Sequence, residues 1–235
     1  MRKLISLFTI IILLVSCRGK QEVFFYTDQY AQGFSIEKYE DYTLIHIHYP
    51  GESQVLQTLV LIPKSAELPK KIPEGTLLRT PLERIISFST ITCSMLEELN
   101  ALSTIVGVTE AQYIHIPYIK EKLKEGKIID LGIPTTPNIE QIMMLEPDAI
   151  FINPLQGEDM TSIQKVSFPI INCIDFKENS PLGQTEWIKL MGILLEKEEL
   201  ANSLFQETEN QYNELKRLTA DVEDKPCVFT EMKYG

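Results

Sequence analysis

The sequence predicts an α/β fold: a parallel-sheet lobe with flanking helices, preceded by a small antiparallel β unit and followed by a long helix leading into a second lobe. From Pro81 onwards, continuous apolar runs alternate with helical patterns of about ten residues, which is how βαβ units and a buried parallel sheet appear in sequence. Before Pro81, runs rich in β-branched and aromatic residues are separated by the turn Tyr49-Pro50-Gly51-Glu52, as antiparallel strands require. After Ile174, two helical patterns follow with no strand between them, and the second is mostly polar.

In chain order, Val23–Tyr26, Thr43–Tyr49 and Val55–Leu61 are the strands of the β unit. His46 and His48 alternate on one face of the second strand. That pair reads either as part of a metal site lacking a nearby third ligand or as an exposed strand face. Ala66–Gly75, with Pro69 and Pro73 among lysines and glutamates, is a linker. In the lobe, Arg84–Phe88, Ile105–Val108, Asp148–Ile152 and Pro169–Ile174 are strands, and Thr92–Leu102, Pro117–Lys124 and Asn138–Leu145 are helices. Met160–Lys165 is a helical turn. Ligands on parallel sheets gather at the carboxyl ends of the strands, which selects Ser89–Cys93, Thr109–Tyr113 and Asn153–Gly157. Right-handed crossovers add Thr135–Asn138 to the same rim.

Trp187, Leu190, Met191, Leu194 and Leu195 recur at the spacing of a core-facing helix. Glu196–Thr219 carries only a narrow stripe of Leu200, Leu204, Tyr212, Leu215 and Leu218. Its length of roughly 36 Å suits a helix bridging two bodies, or a peripheral helix lying along one. Cys227–Met232 has a strand pattern that would be an open edge on its own, so the sequence is expected to stop inside a truncated second lobe spanning 225–235.

At the amino end, Arg2 and Lys3 precede an apolar run, Leu4–Val15, that is shorter than the roughly 20 residues a spanning helix needs. This is the pattern of an export signal over residues 1–16. Cys17 is either incidental to an ordinary signal peptide or the lipidation site, because Leu14-Val15-Ser16-Cys17 resembles the bacterial lipobox. In the second case residues 17–22 are a lipidated tether, and the body is held to the membrane by acyl chains without spanning it. Removing Arg2 and Lys3 takes the formal net charge from −11 to −13, and no basic run offers itself to nucleic acid. Cys93, Cys173 and Cys227 match no metal spacing and sit in or beside apolar runs, so they read as buried thiols.

Three blocks are similar, in order and spacing, to the solute-binding lipoproteins of ABC importers for cobalamin, ferric siderophores and haem. They are "RIISFSTITCSMLEELNALSTIVGVT" (84–109), "DLGIPTTPNIEQIMMLEPDAIFI" (130–152) and "EWIKLMGILLEKEELANSLFQETENQYNELK" (186–216). The resemblance implies two α/β lobes joined by one long helix, with the ligand clamped between them. The domain reading becomes 23–80 for an N-terminal β decoration and linker, 81–195 for the first lobe and 196–219 for the inter-lobe helix. The partners implied are an ABC permease with its ATPase, and a metal-chelate or corrinoid ligand carried as cargo; no cofactor and no catalysis are implied.

The same resemblance makes Glu140 the permease-docking residue. It also points to Ser89, Thr90 and Thr92 in the first loop, and to Pro134, Thr135 and Thr136 before the "PN" helix, as ligand contacts. Tyr113 is the remaining aromatic candidate. Glu140 also reads as a helix-end charge, since an acid in a first turn favours the helix dipole by about 0.3–1 kcal/mol. Ile139, Ile142, Met143 and Glu146 set the helix phase that leaves Glu140 outside. Cobalamin binders often carry an aromatic in the second loop, where this chain has proline and threonines. His115 is either a haem ligand or a solvated loop histidine. The alternative reading, a ligand-free or enzymatic surface lipoprotein on the same scaffold, has no G-x-S-x-G, phosphate loop or metal-ligand cluster behind it.

Overall fold

The computed structural model describes residues 24–26, 30–154 and 162–222, with 24–26 described by backbone alone. The export signal, Cys17 and the strand pattern Cys227–Met232 lie outside the described residues.

The first sheet comprises β1 (Phe24–Tyr26), β2 (Phe34–Lys38), β3 (Thr43–His48), β4 (Val55–Pro63) and β5 (Thr76–Thr80), in that spatial order. Strands β1 to β4 pair antiparallel, and β5 returns parallel to β4. A parallel return needs a crossover, and the segment between the two strands is held in place by Arg79. Its guanidinium donates to the carbonyls of Pro63, Lys64 and Ala66 at 2.9, 3.1 and 2.7 Å. Strands β2 and β5 were not foreseen. β2 alternates for only five residues, and β5 follows directly on a proline-rich segment.

The second sheet is all parallel. Its strands are β6 (Ile85–Ser87), β7 (Ile105–Val108), β8 (Ile129–Asp130), β9 (Ala149–Ile152) and β10 (Ile170–Asn172), in the order β10-β9-β6-β7-β8. β8 is two residues long, too short to leave a pattern in the sequence. Helices α1 (Thr90–Glu98), α2 (Pro117–Lys124), α3 (Ile139–Leu145), α4 (Pro181–Leu194) and α5 (Glu198–Leu218) complete the fold. Both sheet faces are covered, as the unbroken apolar strands require. Ile85, Ala149, Phe151 and Ile171 face a core shared with α1 and α4, while Ile86, Ile150 and Ile152 pack with Ile142 of α3.

The core does not stop at the lobe. Phe34, Ile36, Ile45, Ile47, Leu59, Leu61 and Leu78 of the first sheet join the same cluster as Trp187, Leu190, Met191 and Leu194 of α4. Helix α4 is therefore buried on nearly all sides, which explains its apolar composition. It is capped by Ser180, whose side chain accepts from the Gly183 N–H, and Pro181 opens its first turn. Where α4 meets α5, a Cβ on Gly192 would stand 2.5 Å from that of Ala201, so only glycine allows this approach. Beyond Phe205 the apolar stripe of α5 loses its cover, and Tyr212, Leu215 and Leu218 are exposed.

Two buried carboxylates fasten the first sheet to α4. Glu186 accepts from the N–H groups of Tyr30 and Ala31 at 2.9 and 2.8 Å and from Lys189 at 2.5 Å. Glu178 accepts from the N–H groups of Gln32 and Gly33 and from the Trp187 indole. Removing one partner of a buried ionic cluster typically costs about 3–5 kcal/mol, because the others stay buried and unpaired. Glu186→Ala is accordingly expected to lower the unfolding free energy by about that much in urea titrations monitored by Trp187 fluorescence. An unshifted midpoint would show that the apolar contacts hold the sheet without it.

Candidate functional site

The carboxyl ends of β6, β7 and β9 meet at a small polar cluster. Ser87 folds the chain at the end of β6, its hydroxyl donating to the Ser89 carbonyl at 2.9 Å. Ser89 keeps extended backbone angles and caps α1, its hydroxyl accepting from the Ile91 N–H at 3.2 Å. The Asn153 amide nitrogen, just past β9, donates to the same hydroxyl at 3.2 Å. The Thr109 N–H, just past β7, donates to the Ser87 carbonyl at 3.2 Å. Two atoms of the cluster have no hydrogen-bond partner among the described residues: Thr109 Oγ1 and Asn153 Oδ1, both buried. A buried polar atom left unpaired costs about 1–3 kcal/mol, so an incoming donor would recover that energy here.

The loops after β7 and β8 are knitted to one another. Glu110 adopts left-handed angles (φ 50°), and its N–H donates to the Gly132 carbonyl at 2.7 Å. Gly132, at φ 88°, takes a conformation that suits glycine, and its N–H donates to Asp130 Oδ1 at 3.0 Å. The Thr136 N–H donates to the Ile133 carbonyl, and Ser162 donates to the Thr135 carbonyl, both within 3.2 Å. This bonding leaves three large apolar side chains standing out at the rim. Ile91, Tyr113 and Ile133 are 42%, 62% and 51% exposed. Polar groups recessed between protruding apolar ones suit a bulky ligand with a few hydrogen-bonding atoms.

The structure places Ser89, Tyr113, Pro134, Thr135 and Thr136 on these rim loops and Thr90 at the first position of α1, with Thr90, Tyr113 and Thr136 exposed. Thr92 lies elsewhere: it is buried beneath the rim, where its hydroxyl meets the Cys173 thiol. Glu140 is exposed in the first turn of α3, next to the cap Asn138, whose Oδ1 accepts from the Gln141 N–H at 3.0 Å. The expected phase of that helix needs correcting. Ile142 is buried, but Met143 and Met144 are both exposed, because α3 has only seven residues and ends at Glu146 in a left-handed turn.

His46 is spoken for by its neighbours, with Nδ1 3.1 Å from Thr58 Oγ1 and Nε2 3.7 Å from Glu37. His115 is exposed beside Lys120. Among the described residues, no group of three or more His, Cys, Asp or Glu is placed to hold a metal ion. The rim segment Asn153–Gly157 is described only as far as Pro154. What sequence reasoning missed is a second contribution to the rim, from Tyr49 in the first sheet and from Lys177 after β10. Their proximity depends on sheet packing and leaves no local signal.

Burial controls the titratable groups under the site. It pushes the Cys93 thiol up to about 11 and the Cys173 thiol up further, so neither is a thiolate nucleophile at neutral pH. Asp175, in the turn after β10, is pushed up to about 6, first by burial and then by the charge of Glu178. The folded protein thus holds a proton on Asp175 that the unfolded chain, with an ordinary value of 3.8, has released. Stability is therefore expected to fall as pH rises from about 4 to about 6, and then to level off. Asp175→Asn should flatten that slope and be the more stable form above pH 6, by up to about 3 kcal/mol. Urea midpoints measured across this pH range check both statements.

Fold and rim together define the class: a parallel α/β lobe whose strand ends carry recessed polar atoms and exposed apolar side chains. Residues 85–234 match the family model described as periplasmic binding protein, and the chain belongs to that family. An uncharacterized lipoprotein of Methanocaldococcus jannaschii is 28% identical over 141 residues, covering 57% of this chain and 34% of its own. The ferric-anguibactin-binding protein FatB of Vibrio anguillarum is 27% identical over 186 residues, covering 76% of this chain and 54% of its own. The siderophore-binding protein BauB, solved with two molecules of acinetobactin and ferric iron, superposes with a TM-score of 0.53 at 26% identity. That superposition covers 64% of this chain and 54% of the other. The chain thus spans between a third and just over half the length of these relatives.

Proposed function

We propose that this protein is the extracytoplasmic solute-binding component of an ABC importer, and that it captures a ferric siderophore or a similar metal chelate. The observation that carries this reading is the rim itself: Thr109 Oγ1 and Asn153 Oδ1 are recessed and without a hydrogen-bond partner among the described residues, and Ile91, Tyr113 and Ile133 are exposed on the same rim. A chelate presents an apolar or aromatic periphery with a few polar atoms, which matches this layout. The relation to FatB and BauB, named for ferric anguibactin and for siderophore binding, supports the same class of cargo. The ligand is captured and released without reaction, and the buried thiols at the site are in keeping with that.

In this reading the signal over residues 1–16 directs export, and Cys17 is acylated and tethers the body to a membrane. Relatives described as lipoproteins support the tether. Glu140, exposed in the first turn of α3, is the acid that pairs with a basic residue of the permease.

The test is equilibrium dialysis of the protein, as its gene encodes it, against ferric anguibactin, haem and cyanocobalamin. Retention of the iron chelate in preference to the other two is expected, and Tyr113→Ala should weaken it. Exclusive retention of cyanocobalamin would overturn the siderophore assignment. For docking, Glu140→Ala should leave ligand retention unchanged while weakening permease association by about 2–5 kcal/mol, as for other interfacial ion pairs that lose a partner. Normal association in the mutant would reduce Glu140 to a helix-end charge.

A further inference from the structure

We infer that the β3–β4 turn of the first sheet forms a side wall of the ligand cleft, and that with Lys177 it makes a subsite for an acidic, ring-bearing arm of the chelate. This rests on the metal-chelate reading above and deepens it. Tyr49, Pro50 and Glu52 from the turn, Pro154 just past β9 and Lys177 from the turn after β10 line a recess of about 310 Å³. Pro154 adjoins Asn153, whose amide is bonded to Ser89, so the recess opens beside the polar cluster of the rim. Its volume is near the lower end of ligand pockets, roughly 300–1,000 Å³, and admits one substituted ring.

The wall is built on rigid supports. Gln57, near the start of β4, reaches across to the free edge of the parallel sheet. Its Nε2 donates to the Ile170 carbonyl at 2.6 Å, and its Oε1 accepts from the backbone N–H and side-chain amide of Asn172, each at 3.0 Å. One side-chain amide thus pairs with β10 as a neighbouring strand would, and fixes β4 and its preceding turn beside the end of β10. On the other side, the His48 N–H donates to the Gly33 carbonyl, and the Gly33 N–H donates to Glu178, the residue after Lys177. A Cβ at Gly33 would come within 2.9 Å of both Glu178 and Trp187, so this approach is tight. A subsite held from both sides in this way loses little entropy on binding.

The chemistry of the recess follows from its lining. Tyr49 and the two prolines give flat apolar walls against which a ring can lie. Lys177 supplies charge. The loops directly after β6, β7 and β8 contain no lysine or arginine, and the chain as a whole has a formal net charge of −11. Lys177 makes no ion pair among the described residues, its ammonium lying 5.3 Å from the centroid of the Phe176 ring. An uncommitted cation beside the cleft of an acidic protein draws the anionic group of a ligand to its own end. Glu52 faces the same recess and suits a hydroxyl or N–H on that arm. Tyr49, Pro50 and Glu52 all precede residue 85, where the family match begins, so this wall belongs to the N-terminal sheet and would tune specificity within the family.

The experiment compares two ferric probes, the complexes of 2,3-dihydroxybenzoate and of catechol, which differ in the carboxylate on the ring. Equilibrium dialysis of the protein as its gene encodes it reads both affinities, and thermal unfolding controls for folding. The carboxylated complex is expected to bind about tenfold more tightly, the scale of one charge-assisted contact. Lys177→Gln, at an exposed position, should bring the ratio close to one without moving the unfolding midpoint, and Tyr49→Phe should leave the preference in place. If both complexes bind the parent protein but Lys177→Gln leaves the ratio as it was, the subsite is wrong while the chelate reading stands. If the parent protein retains ferric anguibactin but binds the two complexes equally, the subsite is wrong while the chelate reading stands; if it retains none of the three iron chelates, the chelate reading fails and the subsite with it.

Discussion

Glu178 and Glu186 are the acids on which the architecture turns. Burying two carboxylates is costly unless donors surround them. Here they are met by four consecutive backbone N–H groups from Tyr30 to Gly33, the Trp187 indole and the Lys189 ammonium. That satisfaction dictates the path of the chain into β2, and so the face that the first sheet presents to α4. The inner residues of β2 to β5 can then share one core with the parallel lobe. Because α4 is buried from several directions, it becomes the fixed member against which both sheets and α5 are positioned.

From that arrangement the properties of the rim follow. The strand ends are rigid because each loop is bonded to its neighbour: Ser89 to Asn153, Glu110 to Gly132, and Thr135 to Ser162. Rigidity leaves Thr109 and Asn153 little freedom to turn, and their side-chain oxygens have no hydrogen-bond partner among the described residues. The same bonding uses up backbone polarity in the loops and leaves Ile91, Tyr113 and Ile133 outside. A surface of this kind favours a large ligand that brings its own donors and its own apolar periphery. The first sheet adds to it through Gln57, whose contact with β10 also covers an otherwise open sheet edge.

Much of this was legible in the chain. The strands β6, β7, β9 and β10 and the helices α1 to α5 announce themselves through unbroken apolar runs and helical periodicity, since each buries a face that repeats in sequence. The rim loops follow from topology, because a parallel sheet puts its variable loops at one end. Strands β2, β5 and β8 were hidden, being short and marked out only by the partners they pair with. Thr92 looked like a rim residue by its place in a loop motif, yet the turn of α1 carries it inward to Cys173.

Local periodicity and strand order were enough to read the class of fold, the loops that gather at the carboxyl end of the parallel sheet, and the acid at the start of α3. That the N-terminal sheet shares the core of the lobe is a matter of packing in three dimensions. The tertiary structure alone decided that Gln57 meets β10 from more than 100 residues away, and that Tyr49 and Lys177 flank one recess. Such contacts are set by how sheets and helices pack in space, and packing brings together side chains whose separation in the chain carries no periodic signal.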